Sequence, residues 1–298
     1  MTEILQPQLD FLINLAHNRP GLLNPFFIFL SYLDTYYFIF LLIPTIWLGF
    51  SWRWGVRLFY LIITSALTNF LLKNYFQLTR PLSDLPDLAL IHLKSFSFPS
   101  GAAQNSFVLA GLLIYAIRSK WAVILGVCYA LLMGFSRLYL GVHYPTDILG
   151  GFFVGLILLT LFIISHRTLE NLIGRHPYWS LGIAVFIPLK IILLFPNIST
   201  ILYLTAFIAV SIGVFFSLFY GLYLENPKKL SSSLARIFIG AAGLFLLYFS
   251  IELGFKPYFS TPIVVALSSL AIGLWTALGS SPLIKLLIPK SKWMHHTQ

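Results

Sequence analysis

Apolar residues fill most of this chain in long runs, and short polar segments separate the runs. Nine runs approach the length of about 20 residues that an α-helix needs to cross the hydrocarbon core of a bilayer. The predicted transmembrane helices lie within 23–50, 55–76, 106–117 (starting near Gly101), 121–135, 148–165, 179–195, 201–224, 237–251 and 263–278. Asp34 and Pro44 interrupt the first run, which also fits two short helices, and the ninth run continues to about residue 287.

These runs predict an all-α, polytopic membrane bundle of about nine transmembrane helices. Residues 1–22 contain apolar positions at helical spacing and are predicted to form an amphipathic helix at the membrane surface. Residues 23–170 hold the first five helices, and residues 171–298 add a four-helix extension. A charged loop is predicted at 166–176, between the fifth helix and the sixth. Gly151 and Gly155, four residues apart on the fifth helix, predict close packing against a neighbouring helix.

Composition supports an integral membrane protein. Only 9% of the 298 residues are charged, 58% are hydrophobic and the mean hydropathy is +0.88, whereas soluble domains carry roughly 25% charge. The net charge of +10 would suggest nucleic-acid binding in a soluble protein, but here the basic residues cluster in alternate short loops. The positive-inside rule therefore places those loops and the C-terminus in the cytoplasm and the N-terminus outside. Because the basic residues are explained in this way, no nucleic-acid partner is predicted.

Three polar segments stand out between the apolar runs: residues 73–81 (KNYFQLTRP), 99–101 (PSG) and 136–147 (SRLYLGVHYPTD). The loop alternation places all three on the extracytoplasmic side, although the spans were assigned without reference to them. We therefore predict that they form one site.

The third segment carries a nucleophile and a possible orienting base. His143 and Asp147 are four residues apart, so a helix beginning at Pro145 brings the two side chains within about one turn. An imidazole attacks phosphorus through a free ring nitrogen, and a carboxylate on the other nitrogen fixes the tautomer that this requires.

The other polar residues predict an anion site. Lys73, Arg80 and Arg137 supply three cations, while the helix that starts at Gly101 presents free N–H groups. Each residue alone has a structural explanation, because basic side chains at helix ends snorkel to the interface and a lone histidine is commonly structural. The acidic and histidine residues nearby lack metal-ligand spacing, which favours chemistry without a metal or other cofactor.

In order and spacing, Lys73-x6-Arg80-Pro81, Pro99-Ser100-Gly101 and Ser136-Arg137-x5-His143-x3-Asp147 resemble the three-part signature of the type 2 phosphatidic acid phosphatases. That family includes undecaprenyl-diphosphate phosphatases, lipid A phosphatases, glucose-6-phosphatase and vanadium haloperoxidases. The resemblance implies a catalytic membrane domain at 23–170 in which His143 forms a phosphohistidine with Asp147 as its partner. The implied phosphate-binding residues are Lys73, Arg80, Ser100, Gly101 and Arg137.

One position departs from the pattern. The family has a histidine after Pro-Ser-Gly, which protonates the leaving oxygen, and this chain has Ala102. Either the sequence is a His-to-Ala form inactivated to trap a ligand, or the alanine is natural and favours a substrate whose leaving group needs little protonation, such as a lipid diphosphate.

The resemblance implies a metal-independent hydrolase of the bacterial inner membrane that acts on a lipid phosphate or diphosphate at an extracytoplasmic site. Phosphatidic acid, phosphatidylglycerol phosphate, undecaprenyl diphosphate and sphingoid or lipid A phosphates are the expected substrate types. Three alternatives remain: a sugar phosphatase resembling glucose-6-phosphatase, a lipid phosphotransferase, and a lipid-binding or transport protein without turnover.

Overall fold

The computed structural model describes residues 2–81 and 85–288, and all regular secondary structure in these two ranges is helical. The α-helices are α1 (Thr2–Asn18), α2 (Asn24–Tyr32), α3 (Tyr36–Gly49), α4 (Trp52–Phe76), α5 (Gly101–Ile117), α6 (Lys120–Tyr139), α7 (Pro145–Arg175), α8 (Pro177–Leu194), α9 (Ile198–Phe219), α10 (Leu230–Phe255), α11 (Thr261–Leu274) and α12 (Ser280–Leu287). Short 3-10 helices cover Gly21–Leu23 and Pro86–Leu88, and a π-helical turn at Trp275–Gly279 joins α11 to α12.

The all-α membrane fold is confirmed. Seven helical stretches in the described ranges are long and apolar enough to cross a membrane, and the α2–α3 pair would make an eighth if it acts as one broken span. The remaining predicted span is α5, which is apolar but only 17 residues long. The first predicted run forms two helices with a break after Tyr32, and the ninth extends to Leu287. The C-terminus, which was predicted to be cytoplasmic, lies outside the described residues.

One prediction about helix α7 is wrong. Residues 166–176 were expected to form a charged loop, but the helix continues to Arg175. Leu169, Leu172 and Ile173 provide apolar residues at helical spacing, and residues 166–176 contain no proline. The charge of this segment marks a helix that extends past the apolar run, because charged residues alone do not end a helix.

The Cα positions group into two compact units: residues 1–39 with 61–167, and residues 40–60 with 168–298. The predicted domain limits at 23, 170 and 171 differ in detail from these limits and stay a prediction. All eight residues selected in the sequence analysis lie in the first unit.

Within the first unit, α5 and α7 approach each other closely, as predicted from the spaced glycines. A Cβ atom added to Gly151 would lie 2.5 Å from the carbonyl oxygen of Ser100, and one added to Gly155 would lie 2.9 Å from that of Gln104. Any larger residue would push the two backbones apart. This contact brings the start of α5 to the start of α7.

Buried amide side chains join α4 to α5. Gln104 Nε2 donates to the carbonyl and hydroxyl oxygens of Ser65, both at 2.8 Å, while its Oε1 accepts from Asn69 Nδ2 at 3.0 Å. Asn69 also donates to the carbonyl of Pro99 at 3.1 Å. Such pairing satisfies polar groups that would be costly in an apolar interior, and it fixes the segment before Gly101 against α4.

An apolar cluster packs α2 beside α5 and α6. Its buried members are Phe27, Leu30, Ala102, Met133, Tyr139, Leu140 and Val142, with Leu33 packed at its edge. Phe27 stacks on Tyr139 with ring centroids 3.9 Å apart, and the Tyr139 hydroxyl donates to Asn24 Oδ1 at 2.9 Å. Helix α2 is thereby anchored next to the end of α6.

In the second unit, α9 packs against α8 and α11. A Cβ atom on Gly213 of α9 would lie 2.6 Å from Cβ of Ala277, which shows how closely α9 approaches the π-helical turn. The guanidinium of Arg57 makes two hydrogen bonds of 2.8 and 2.9 Å to the Glu170 carboxylate. Neither contact involves the polar segments described above.

Candidate functional site

His143 and Asp147 form the centre of a buried polar cluster. His143 Nδ1 lies 3.2 Å from Asp147 Oδ2, and both side chains are almost fully buried. The pairing arises locally, because α7 begins at Pro145 and places Asp147 in its first turn, one turn beyond the histidine.

Arg80 contacts the opposite edge of the imidazole. Its Nη1 lies 3.1 Å from His143 Nε2. A guanidinium has only donors, so Nε2 accepts this hydrogen bond and carries no proton. The ring proton is then on Nδ1, where it is donated to Asp147, and the Nε2 lone pair points toward a cation.

Asp147 is held by more than the histidine. Its Oδ2 accepts hydrogen bonds from the backbone N–H of Tyr144 at 2.8 Å and from Ser97 Oγ at 2.5 Å. The sequence analysis did not select Ser97. It is fully buried, and only its position two residues before Pro99 connects it with the motif.

All five N–H donors of Arg80 are used. Nε donates to the Ser95 carbonyl at 2.6 Å, and Nη2 to the Ser95 hydroxyl at 3.0 Å and the Phe96 carbonyl at 3.1 Å. Nη1 donates to the Val142 carbonyl at 2.8 Å and to His143. Four bonds therefore fix the guanidinium, and the fifth is the one directed at the histidine.

Lys73 is fixed by the same loop. Its ammonium donates to the Phe96 carbonyl and, at 3.0 Å, to the Ser97 carbonyl. Lys73 and Arg80 lie at and after the end of α4, so the carbonyls of residues 95–97 gather two cations near one histidine.

Burial and the neighbouring charged groups determine the protonation of His143 and Arg80, which lie outside the helices. Removal from water, countered by the Asp147 hydrogen bond and reinforced by Arg80, lowers the pKa of His143 to about 3. Burial also lowers the pKa of Arg80 to about 10, against the opposing effect of Asp147. At neutral pH the histidine is therefore uncharged and the guanidinium is charged.

Arg137 near the end of α6 is the third cation, and it is 2% exposed. Its Nε donates to Ser136 Oγ at 3.1 Å, and its Nη1 lies 4.0 Å from Asp34 Oδ2. Its Nη2 is buried and has no hydrogen-bond partner among the described residues. An unpaired guanidinium donor in a buried site is costly, and it is what an absent anion would satisfy.

The Pro-Ser-Gly segment begins α5, as predicted. Ser100 is the N-cap, and its own N–H donates to the Asp147 carbonyl at 3.0 Å. That bond occupies one of the N–H groups expected to face a phosphate, which leaves those of Gly101 and Ala102 in the first turn as the candidates. The methyl group of Ala102 belongs to the apolar cluster and is 2% exposed.

Asp34 is a second residue that the sequence analysis did not assign to the site. It lies in the break between α2 and α3 and interacts electrostatically with Arg137, Lys73 and Arg80. A carboxylate inside an apolar run was a usable signal, because ionisable residues within membrane segments lean toward function.

The donor set suits an anion better than a metal ion. In the part of the chain that the structure describes, no three His, Cys, Asp or Glu side chains gather as metal ligands. Arg80 and Lys73, which act on His143, would also repel a metal ion. The predicted independence from metals and cofactors stays a prediction.

Comparison with known proteins gives the family of this region. Residues 54–170 match the model of the PAP2 superfamily. The match covers less than half of the chain, and residues 54–170 are called the PAP2 domain below. The resemblance to the type 2 phosphatidic acid phosphatases is thereby confirmed, and all eight predicted site residues lie inside the PAP2 domain. Asp34 and the predicted extension beyond residue 170 lie outside it.

Two curated relatives are similar to part of this chain. Phosphatidylglycerophosphatase B of Bacillus subtilis (strain 168) is 37% identical over 117 residues, which are 36% of this chain and 55% of that protein. The lipid A 4'-phosphatase of Bacteroides thetaiotaomicron is 32% identical over 119 residues, 35% of this chain and 53% of that protein. The chain thus spans about half the length of the curated relatives it matches.

A solved structure is also similar: a transmembrane PAP2-type phosphatidylglycerolphosphate phosphatase from Bacillus subtilis. It is 29% identical, covers 56% of this chain and 88% of its own, and has a TM-score of 0.48.

Proposed function

We propose that this protein is a membrane phosphatase that hydrolyses a lipid phosphate or lipid diphosphate through a phosphohistidine on His143. The observation that carries the proposal is the line from Arg80 through His143 to Asp147. It leaves an unprotonated Nε2 beside a cation, as an imidazole that attacks an anionic phosphorus centre requires.

Phosphate binding uses the three cations. Arg137 Nη2 has an unused donor, and the Arg80 donor now on Nε2 can turn to a phosphate oxygen while its other four bonds hold the guanidinium in place. That exchange frees the Nε2 lone pair at the moment the substrate arrives. Lys73 and the first-turn N–H groups of α5 supply further positive potential for the oxygens.

Nε2 then attacks phosphorus in line. The Nε2–P bond forms, the P–O bond to the leaving group breaks, and its electron pair goes to the leaving oxygen. Asp147 stabilises the positive charge that develops on the ring, as a carboxylate does in catalytic triads. Water next attacks the phosphohistidine, which releases inorganic phosphate and the free imidazole.

The substrate class is supported by the relatives. Two of the relatives are named for phosphatidylglycerol phosphate and lipid A, and another for undecaprenyl diphosphate. A lipid substrate also suits a site at the ends of membrane-spanning helices. The ester or diphosphate leaving group determines how much protonation is needed.

We further propose that the site and the N-terminus face the extracytoplasmic side. The support is the clustering of basic residues in the alternate loops, among them Arg53 with Arg57 and Lys228 with Lys229. A fluorescent reporter that matures only in the cytoplasm, fused after residue 298, should be bright. A dark reporter with full expression would reverse the orientation.

Phosphate release tests the activity. The full chain in lipid nanodiscs is offered phosphatidic acid, phosphatidylglycerol phosphate, undecaprenyl diphosphate and glucose 6-phosphate, with His143→Ala as the matched control. Release from a lipid that His143→Ala abolishes supports the proposal. Release that survives in His143→Ala contradicts the mechanism, and preference for glucose 6-phosphate would assign a sugar phosphatase.

Ala102→His separates the two explanations of the missing histidine. A gain of about 10²–10⁴-fold would identify the present sequence as an inactivated form. No gain on a substrate that the unmodified chain already hydrolyses would show that the alanine is compatible with turnover.

A further inference from the structure

Asp34 and Asp147 are the carboxylates that act on the cations of the site among the described residues. Asp147 is committed to His143, Ser97 and Tyr144. Asp34 lies with Oδ2 4.0 Å from Arg137 Nη1 and within electrostatic reach of Lys73 and Arg80. It therefore lies beside the guanidinium that is expected to hold a phosphate oxygen, and the mechanism above gives it no role.

The mechanism lacks a proton donor for the leaving oxygen. A lipid alkoxide is a poor leaving group, and general acid catalysis contributes about 10²–10⁴-fold in such reactions. His143 gives its only ring proton to Asp147, and every N–H group of Arg80 is engaged. The ammonium of Lys73 is held by two loop carbonyls, and the methyl side chain of Ala102 has no acidic proton.

We propose that Asp34 is the general acid that protonates the leaving oxygen, and the base that activates water in the second step. This inference rests on the proposed phosphatase function. It assigns a catalytic residue that lies outside the PAP2 domain, in the break between α2 and α3.

The position of Asp34 is fixed by the packing of α2. Phe27 stacks on Tyr139, and Leu33 packs at the edge of the apolar cluster that contains Ala102. Asp34 follows Leu33 directly, and its Oδ2 lies 4.0 Å from Arg137 Nη1. Arg80 contacts His143 and Arg137 lies 4.0 Å from Asp34. Two different cations therefore adjoin the expected nucleophile and the expected acid.

The substrate itself supplies the switch in protonation. The groups facing Asp34 come from three helices and one loop. They are Arg137 and Tyr129 of α6, Lys73 of α4, the Asn105 amide of α5, and Arg80 of the loop after α4. In the empty site, partial burial disfavours the charged carboxylate and the three cations oppose that effect. A phosphate with two negative charges neutralises those cations, so that the effect of burial is no longer opposed and the carboxyl group takes up a proton.

The steps balance. As Nε2–P forms and P–O breaks, the Asp34 proton moves to the leaving oxygen and the lipid departs as a neutral alcohol. In the second step Asp34 takes a proton from water, the new O–P bond forms and the Nε2–P bond breaks. Asp34 ends protonated, and it returns the proton to solvent as phosphate leaves.

Leaving-group dependence tests the inference, because a good leaving group needs no acid. Rates of the full chain in nanodiscs are compared for 4-nitrophenyl phosphate and for phosphatidic acid. We expect Asp34→Asn to slow the alkyl ester by about 10²–10⁴-fold and the aryl ester by less than about tenfold. Asp34→Glu, which keeps a proton donor, should recover part of the alkyl-ester rate.

Asp10→Asn is the matched control, since Asp10 is an exposed carboxylate on α1 that bonds Gln6, and it should change neither rate. Equal losses on both esters in Asp34→Asn would overturn the inference and make Asp34 a positioning residue for Arg137. Unchanged rates would also overturn it. An unmodified chain that gains activity only with Ala102→His would overturn it while leaving the phosphatase proposal intact. If the unmodified chain and Ala102→His are both inactive on both esters, the result would instead count against the proposed function.

Discussion

Arg80 Nη1 lies 3.1 Å from Nε2 of His143, on the edge of the ring opposite Asp147. Because Arg80 can only donate, this contact determines which ring nitrogen carries the proton. The imidazole is thus held in one tautomer by a donor on one edge and an acceptor on the other. An arginine that would bind substrate already prepares the nucleophile in its absence.

Asp147→Asn should disrupt that tautomer. An amide NH₂ directed at Nδ1 would favour the proton on Nε2, where it blocks attack. We expect kcat to fall about 10³–10⁴-fold, as in triads with the same exchange, with the fold retained. Phosphate release in nanodiscs measures it, and a loss below tenfold would contradict the role of Asp147 as tautomer anchor.

The lowered pKa of His143 predicts a pH effect on stability. Its ordinary value is 6.5 and its value in the folded protein is about 3, so the unfolded chain binds the proton first as the pH falls. The stability that His143 contributes is fully present above about pH 6.5 and is lost progressively as the pH falls toward 3. Thermal unfolding in detergent at pH 7.5 and 5 should therefore show a smaller difference for His143→Asn than for the unmodified chain. An equal difference would contradict this assignment.

Ser97→Ala should reduce kcat without a large change in KM. Ser97 donates to the Asp147 oxygen that also contacts His143, and a hydrogen bond to a charged group contributes about 1.5–3 kcal/mol. That corresponds to a rate loss of roughly 10- to 100-fold. Ser106→Ala removes an equally buried hydroxyl that donates to the Ala103 carbonyl of its own helix, and should leave kcat within about twofold. Comparable losses in both variants would indicate a general packing effect.

Arg137→Lys should weaken anion binding. The guanidinium uses Nε on Ser136 and keeps Nη2 free in a buried place, and a lysine cannot make both contacts at once. We expect the apparent affinity for inorganic phosphate, measured as product inhibition, to fall about tenfold or more. Arg118→Lys, an exposed arginine over the Tyr115 ring, is the control and should bind phosphate normally. Unaltered inhibition in Arg137→Lys would remove Arg137 from the phosphate site.

Gly151→Ala should destabilise the first unit. The new methyl group would lie 2.5 Å from the Ser100 carbonyl oxygen, and overpacking of this kind costs about 1–3 kcal/mol. Gly174→Ala on the same helix meets nothing within 4 Å and should be neutral or slightly stabilising. Thermal unfolding in detergent compares the two, and equal melting temperatures would show that α5 and α7 tolerate separation.

The helix boundaries were predictable where the sequence carries residues that start or stop a helix. Pro145 and Gly101 begin α7 and α5, as their helix-start chemistry indicates. The end of α7 was not predictable from charge, because charged residues in 166–175 are compatible with a helix that leaves the apolar layer. A strong breaker, here Pro177, was the better signal.

The part of the site that was predictable consists of residues in the three polar segments, whose spacing could be read from the sequence. His143 and Asp147 pair locally, and the long-range convergence of Lys73, Arg80 and Arg137 follows from placing three polar segments on one side. Ser97 was not selected, since its contact with Asp147 depends on which loop packs against the centre. Asp34 carried one signal, a carboxylate inside an apolar run, but its distance from Arg137 depends on how the break between α2 and α3 packs. Single-sequence spacing contains no information about those long-range contacts.

The amide contacts between α4 and α5 have a consequence for how the protein is made. Gln104 and Asn105 make α5 a poor candidate for entering lipid alone, because the helix has only 17 residues and both amides need partners. Ser65 and Asn69, which bond both amides, lie on α4. We therefore expect α5 to leave the translocation channel only while α4 is still beside it, so that the two helices enter the bilayer as a pair. The order of insertion during synthesis would then be set by the hydrogen bonds that fix Pro99 near the histidine.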